Sequence, residues 1–119
     1  ARGIKHLFRT RAERFRVVVV GRPEPIPCAG EPRCLAADLA FALDSLGVEP
    51  IAVEGISAGG PVAAWLAIDR PDLVPRLVLT VTFARPDRHL RGILERWVSL
   101  AEAGRWLDLV QDSLRLGRP

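Results

Sequence analysis

The sequence predicts an α/β domain with a mainly parallel sheet and flanking helices. Two β-type runs, 51–54 and 76–83, enclose a helical segment at 60–69, and a β-branched run at 15–20 precedes a leucine-rich helix. Alternation of strands and helices favours a parallel sheet, because each helix can serve as the crossover between parallel strands. A chain of 119 residues is long enough for one ordinary domain with its own core.

Composition and charge are those of a folded globular protein. The chain is 49% hydrophobic and 26% charged, with a net charge of +3 that comes almost entirely from arginine, since Lys5 is the only lysine. The arginines are scattered and lack the aromatic interleaving of a nucleic-acid groove. We expect solvated arginines and no nucleic-acid partner, although a basic nucleic-acid binder with one contiguous arginine face stays a hypothesis to test.

The sequence shows neither a membrane span nor a secretory signal, so the expected compartment is the cytoplasm. The chain begins with Ala1 and contains no methionine, which predicts a processed or truncated polypeptide. It carries no indication of an oligomeric state.

The first two elements are a surface helix and a buried strand. Residues 2–12 place four apolar side chains on one helical face among basic residues: Ile4, Leu7, Phe8 and Ala12. The continuous apolar run "FRVVVV" at 15–20 is typical of a strand buried on both faces, and Gly21 and three prolines end it.

Cys28 and Cys34 lie in the irregular segment 21–33, six residues apart. No histidine is near them, so a metal site would lack half of its ligands, and we expect no metal. We expect two free thiols, with a local disulfide as the alternative.

The central elements follow from leucine spacing, glycine and proline. Leucines recur at helical intervals, at Leu35, Leu39, Leu43 and Leu46. Gly47 follows them at the position where a left-handed residue would cap the helix. "IAVE" then predicts a strand, "GPVAAWLAID" a helix with Pro61 in its first turn, and "RLVLTVTF" another strand.

Two consecutive helices are predicted after Pro86. Asp87 can cap the first, which ends at Gly104, and the second covers about 105–116. The first has a wide apolar stripe formed by Leu90, Ile93, Leu94, Trp97, Val98 and Ala101. Two helices without a strand between them suggest a helical hairpin that acts as a lid.

The pattern G-x-S-x-G lies between the second strand and its helix. Gly55, Ser57 and Gly59 form the pattern, and Gly60 follows. In this context it predicts a nucleophile elbow, in which a strained serine stands at a helix N-terminus and only very small residues fit beside it. The alternatives are an N-capping serine and a phosphate cradle, although the dinucleotide fingerprint and the P-loop lysine are both absent.

With these motifs, nearly the whole chain from Phe15 onward resembles the middle of an α/β-hydrolase. The resemblance rests on "FRVVVV", "LAADLAFALDSLGVEPIAVEGISAGGPVAAWLAIDRPDLVPRLVLT" and "HLRGILERWVSLAEAGRW". It implies a partial α/β-hydrolase fold with a core at 1–86 and a lid at 87–119. It also implies that Ser57 is the nucleophile, that the Ala58 N–H is an oxyanion donor, and that no cofactor is needed.

The same resemblance implies that parts of the machinery are missing from the chain. The family places its acid and histidine after the serine on late segments, and no position here matches them. We expect His89, close to Asp87, to be a solvent-facing lid residue, and His6 is out of order. The family's second oxyanion donor is also absent. So is the strand that in the family lies between 15–20 and 51–54 in the sheet, and its absence predicts either a gap with unpaired backbone groups or a new pairing of 15–20 with 51–54.

The functional hypothesis is a serine hydrolase acting, in its complete form, on a small ester or related acyl substrate. Trp97 and Trp106 could line the acyl pocket or simply pack the lid on the sheet. The alternative is a non-catalytic α/β module for binding or assembly. Three structural expectations follow: a positive φ at Ser57, crowding at Gly55 and Gly59, and a hairpin near Ser57 that buries Leu94, Trp97 and Trp106.

Overall fold

The computed structural model describes residues 8–21, 24–48 and 50–116. In chain order its elements are α1 (Arg9–Ala12), a 3-10 turn (Pro27–Gly30), α2 (Pro32–Ser45), β1 (Ala52–Ile56), α3 (Gly59–Asp69), β2 (Arg76–Thr80), α4 (Arg88–Glu102) and α5 (Trp106–Leu116). The predicted α/β class is confirmed. No helix in these ranges is long and apolar enough to cross a membrane.

The sheet consists of β1 and β2, which pair in parallel with α3 as the crossover between them. Val53 lies opposite Leu77, and Ile56 lies opposite Thr80 at the carboxyl end of both strands. The parallel arrangement predicted from the alternation of elements is therefore present.

The core lies between α2, α3 and one face of β1. Alanine at positions 36 and 40 and Leu43 face inward from α2 at a spacing of four and three residues, which brings α2 close to α3. Leu66 of α3 is almost completely buried between them. The buried cluster is made of Ala36, Ala40, Leu43, Leu66, Leu73 and Val74.

Both ends of α2 are capped, and the cap at its end was predicted from the sequence. The Glu31 carboxylate accepts hydrogen bonds from the backbone N–H groups of Arg33 (3.1 Å) and Cys34 (2.7 Å) at the helix start. Gly47, with φ of 60°, follows the last turn as predicted. These contacts satisfy backbone groups that a helix end otherwise leaves without partners.

The predicted strand at 15–20 is not a strand in the structure. Phe15 is 70% exposed and Val18 is 71% exposed, and no described segment pairs with this run. A strand requires a hydrogen-bonding neighbour, and β1 pairs with β2 instead. Without the intervening strand, we expected either a gap or a new pairing between 15–20 and 51–54. The run at 15–20 has no described pairing partner, which is the first of these outcomes. The preceding helix is described only at Arg9–Ala12, and the rest of its predicted span, with His6, lies outside the described residues.

The expectation of free thiols is wrong, because Cys28 and Cys34 form a disulfide. Cys28 lies in the 3-10 turn and Cys34 in the first turn of α2, with 6.3 Å between their Cα atoms. Three successive residues with positive φ, Cys28, Ala29 and Gly30, turn the chain back toward α2. Sequence spacing does not reveal this reversal.

The C-terminal helices form the predicted hairpin. Asp87 caps α4 by accepting a 2.8 Å hydrogen bond from the Leu90 N–H, and Gly104, with φ of 69°, makes the turn. Asp112 of α5 accepts hydrogen bonds from Arg96 and from the Trp97 indole N–H (2.8 Å). Among the described elements, α4 and α5 contact only each other, so the expected packing of the hairpin over the sheet near Ser57 is not found.

Candidate active site

Ser57 occupies the turn between β1 and α3, with φ of 52°. The strand ends at Ile56 and the helix begins at Gly59, close to the predicted boundaries. A left-handed conformation is uncommon for a residue with a side chain and costs free energy that the surrounding structure must offset. The predicted positive φ at Ser57 is confirmed.

Three backbone-directed hydrogen bonds hold this turn at the carboxyl end of the sheet. The Ser57 N–H donates to the Thr80 carbonyl (3.1 Å), which extends the β1–β2 pairing by one step. The Ser57 carbonyl accepts from the Gly60 N–H (3.0 Å) and from the Thr82 hydroxyl (2.6 Å). The turn is thereby tied both to α3 and to the segment after β2.

The Ala58 N–H and the first N–H groups of α3 lie beside Ser57. No described backbone carbonyl accepts a hydrogen bond from the Ala58 N–H. The first N–H groups of a helix have no partner within the helix and carry the positive end of its dipole. The turn can therefore stabilise a negative charge that develops next to the Ser57 hydroxyl.

Steric demands differ among the glycines at 55, 59 and 60. A Cβ at Gly55 would lie 2.7 Å from the Ala63 Cβ and 2.8 Å from the Gly60 Cα, and one at Gly60 would overlap the Thr82 side chain. At Gly59 a Cβ would meet nothing within 4 Å. The expected crowding is thus present at Gly55 and absent at Gly59, because no described strand or helix lies beside Gly59.

No general base adjoins Ser57 among the described residues. None of their side chains hydrogen-bonds the Ser57 hydroxyl, and His89, at the start of α4, is exposed as predicted. Asp87 caps α4. The part of the chain that the structure describes supplies a serine and backbone donors without a partner for the serine proton.

Glu54, which sequence analysis missed, forms a polar cluster on the other face of β1. Its carboxylate, 20% exposed, accepts hydrogen bonds from the Thr80 hydroxyl (2.8 Å) and the Arg11 guanidinium (2.9 Å). These bonds tie α1 and β2 to β1 three residues before Ser57. The only sequence signal was a carboxylate inside an apolar strand, where an unpaired charge would be costly. Thr82 was also missed, since it lay inside a predicted strand.

The two candidate pocket tryptophans lie on α4 and α5, which contact no other described helix or strand. Trp97 is partly buried and uses its indole N–H on Asp112. Trp106 is 62% exposed, so its predicted burial is wrong. Asp112 of α5 meets α4 through this hydrogen bond, whereas Val110 and Leu114 of α5 are exposed like Trp106. A groove of about 320 Å³ lies between α2 and α3, beside Phe41 and Arg70, and none of its lining residues belongs to the Ser57 turn.

Comparison with known proteins agrees with the fold. A family model described as the alpha/beta hydrolase fold matches residues 9–104. "Putative carbamate hydrolase RutD" of a Caulobacter species is 32% identical over 93 residues, covering 73% of this chain and 35% of that protein. The protein of the same name from Caulobacter vibrioides is 39% identical over 57 residues, covering 48% of this chain and 21% of that protein. The chain thus spans about a third or less of the length of these relatives, and no solved structure matches it.

Proposed function

The chain belongs to the α/β-hydrolase fold family, and on this premise we propose that Ser57 is the nucleophile of a serine hydrolase. The observation that carries the proposal is the positive φ of Ser57 between a parallel strand and a helix N-terminus. A plain N-capping serine has no need of this conformation, because capping residues usually adopt extended dihedrals. The strain is explained if it lifts the hydroxyl clear of the sheet, as in a nucleophile elbow.

The proposed reaction is acyl transfer. The Ser57 oxygen forms a bond to the carbonyl carbon of the substrate, its proton passes to a base, and the base gives that proton to the leaving group as the bond to it breaks. Water, deprotonated by the same base, then attacks the acyl-enzyme, and the acyl product leaves as Ser57 regains its proton. The Ala58 N–H stabilises the oxyanion of the tetrahedral intermediate, aided by the dipole of α3. We propose that a longer polypeptide supplies the histidine, the acid and the second oxyanion donor.

The proposed substrate is a small ester or a related acyl compound. The relatives are named for carbamate hydrolysis, and a carbamate shares with an ester a carbonyl carbon bonded to a leaving group. Both classes fit attack by Ser57 in the same geometry. We further propose that 1–86 forms the catalytic core and that 87–119, which contains α4 and α5, forms the lid.

Labelling with a fluorophosphonate tests the nucleophile. The complete natural polypeptide that carries these 119 residues should be modified on the peptide containing Ser57, and Ser57→Ala should abolish the modification. Ser99→Ala, which removes a serine whose hydroxyl donates to the Glu95 carbonyl within α4, is the matched control and should label normally. Hydrolysis of an aryl ester and an aryl carbamate should be lost in the same variant. Equal labelling of Ser57→Ala and the parent would contradict the proposal.

A non-catalytic binding or assembly module is the second candidate. It is favoured by the lack of any described side chain on the Ser57 hydroxyl and by the exposure of His89. This candidate predicts a folded complete polypeptide that neither labels nor hydrolyses either substrate. The labelling experiment therefore separates the two candidates.

A further inference from the structure

The Thr82 hydroxyl lies 2.6 Å from the Ser57 carbonyl oxygen and donates a hydrogen bond to it. We propose that Thr82 is a positioning residue that aims the Ala58 N–H at the oxyanion. This inference rests on the proposed function of Ser57 and adds to it a residue from the segment that follows β2.

The argument begins with the peptide group between Ser57 and Ala58. A trans peptide is planar, so its C=O and N–H bonds point in opposite directions and cannot turn independently. Fixing the Ser57 oxygen therefore fixes the direction of the Ala58 N–H. Two donors hold that oxygen: the Gly60 N–H at 3.0 Å and the Thr82 hydroxyl.

The position of Thr82 is itself fixed from two sides. Its side chain packs directly on Gly60, where a Cβ would come within 2.5 Å of the Thr82 Cβ and Cγ2. Val81, immediately before it, has φ of 47°. A left-handed conformation is especially costly for a β-branched residue, and here it turns the chain after β2 so that Thr82 reaches Ser57.

The two left-handed residues occupy matching places in the sheet. Ile56 is paired with Thr80, so Ser57 and Val81 are the next residues along each strand, and both have positive φ. The Thr82 hydroxyl joins these two turns. Without it the Ser57 carbonyl keeps one short-range donor, and the Ser57–Ala58 peptide gains freedom to rotate away from the direction that an oxyanion requires.

Thr82→Val and Thr82→Ser form the test pair, since valine keeps the branched shape without the hydroxyl and serine keeps the hydroxyl without the methyl group. Both are made in the complete natural polypeptide and assayed with an aryl ester. We expect Thr82→Val to lower kcat about tenfold with KM changed less than about twofold, a smaller loss than deletion of an oxyanion donor itself. Binding of a boronic acid that mimics the tetrahedral intermediate should weaken by the same factor.

Thr82→Ser should recover kcat and boronic acid affinity to within about twofold of the parent if the hydroxyl is what matters. A purely structural role predicts something else: kcat retained in Thr82→Val, or serine and valine variants equally impaired. Either result overturns the inference. If valine prevents folding, Thr82→Ala takes its place in the comparison.

An NMR measurement keeps this inference separable from the proposed function. Thr82→Val should change the Ala58 amide shift and the HN–Hα coupling of Ser57, which depends on φ, whereas Thr82→Ser should leave both close to those of the parent. Absence of fluorophosphonate labelling together with this NMR response would refute the nucleophile while supporting the positioning of Ala58. Unchanged Ser57 and Ala58 signals in the valine variant would overturn the positioning itself.

Discussion

Gly59 and Gly60 are adjacent in the first turn of α3, and the structure predicts opposite responses to the same substitution. Alanine at Gly60 would overlap the side chain of Thr82, whereas alanine at Gly59 would meet nothing within 4 Å. Neither glycine has a positive φ that would strain an alanine. The pair thus isolates steric contact from helix propensity.

The expected magnitudes follow from these contacts. Gly59→Ala removes freedom from the unfolded chain at a helical position and should stabilise the protein by about 0.4–1 kcal/mol. Gly60→Ala must displace Thr82, whose hydroxyl is held by the Ser57 carbonyl, and such overpacking typically costs about 1–3 kcal/mol. Because both variants share the gain from a less flexible unfolded chain, they should differ by the overpacking cost of about 1–3 kcal/mol in free energy of unfolding.

Urea unfolding followed by circular dichroism measures this difference. With an m value of about 2 kcal/mol per M, the midpoints of the two variants should be separated by about 0.5–1.5 M, with Gly60→Ala the lower. Equal midpoints, or a Gly60→Ala variant as stable as Gly59→Ala, would show that Thr82 does not pack on α3 as described. Gly92→Ala, in the middle of α4 with open space around it, is the control for helix propensity alone.

Three further outcomes are expected. The hydrogen bonds from Arg70 lower the pKa of the Asp44 carboxyl in the folded protein. The resulting stabilisation is present above the unfolded pKa of about 4 and is lost as the pH falls through the lower folded pKa. The urea midpoint should therefore fall less steeply with pH in Asp44→Asn than in the parent. Replacing Cys28 and Cys34 by alanine opens a short loop and should cost about 2 kcal/mol by loop entropy, and an unchanged unfolding midpoint under oxidising conditions would contradict the disulfide. The 119-residue chain alone should hydrolyse an aryl ester no faster than its Ser57→Ala variant, because an unassisted serine is a poor nucleophile; turnover lost only in the variant would show that a base is present after all.

Local signals in the sequence were sufficient for most of the fold. Leucine spacing and Gly47 located α2, and the Asp87 cap and Gly104 located α4 and the turn of the hairpin. Each of these depends on a few neighbouring residues: a helical period, a side-chain cap or a left-handed glycine. Such features depend little on residues that are distant in sequence, which is why the structure reproduces them.

Trp106 shows where helix amphipathicity is an insufficient guide. Trp106 was expected to be buried, yet it is exposed together with Val110 and Leu114, and α5 meets α4 through the hydrogen bonds to Asp112. A charged side chain that accepts bonds from both Arg96 and Trp97 competes with apolar burial for the contact face. The sequence contained Asp112, but nothing in its spacing identified those two donors on α4.

The failures at 15–20 and Gly59 have one physical cause. A β-branched run becomes a strand only when another strand satisfies its backbone, and a glycine is required only when another element approaches its Cα. Both are properties of neighbours distant in sequence, and no described segment supplies them. Gly55 and Gly60 differ because their neighbours, Ala63 in α3 and Thr82 in the segment after β2, are part of the described structure. The Ser57 turn is therefore specified by the β1–α3–β2 unit itself, whereas any crowding at Gly59 has to come from outside that unit.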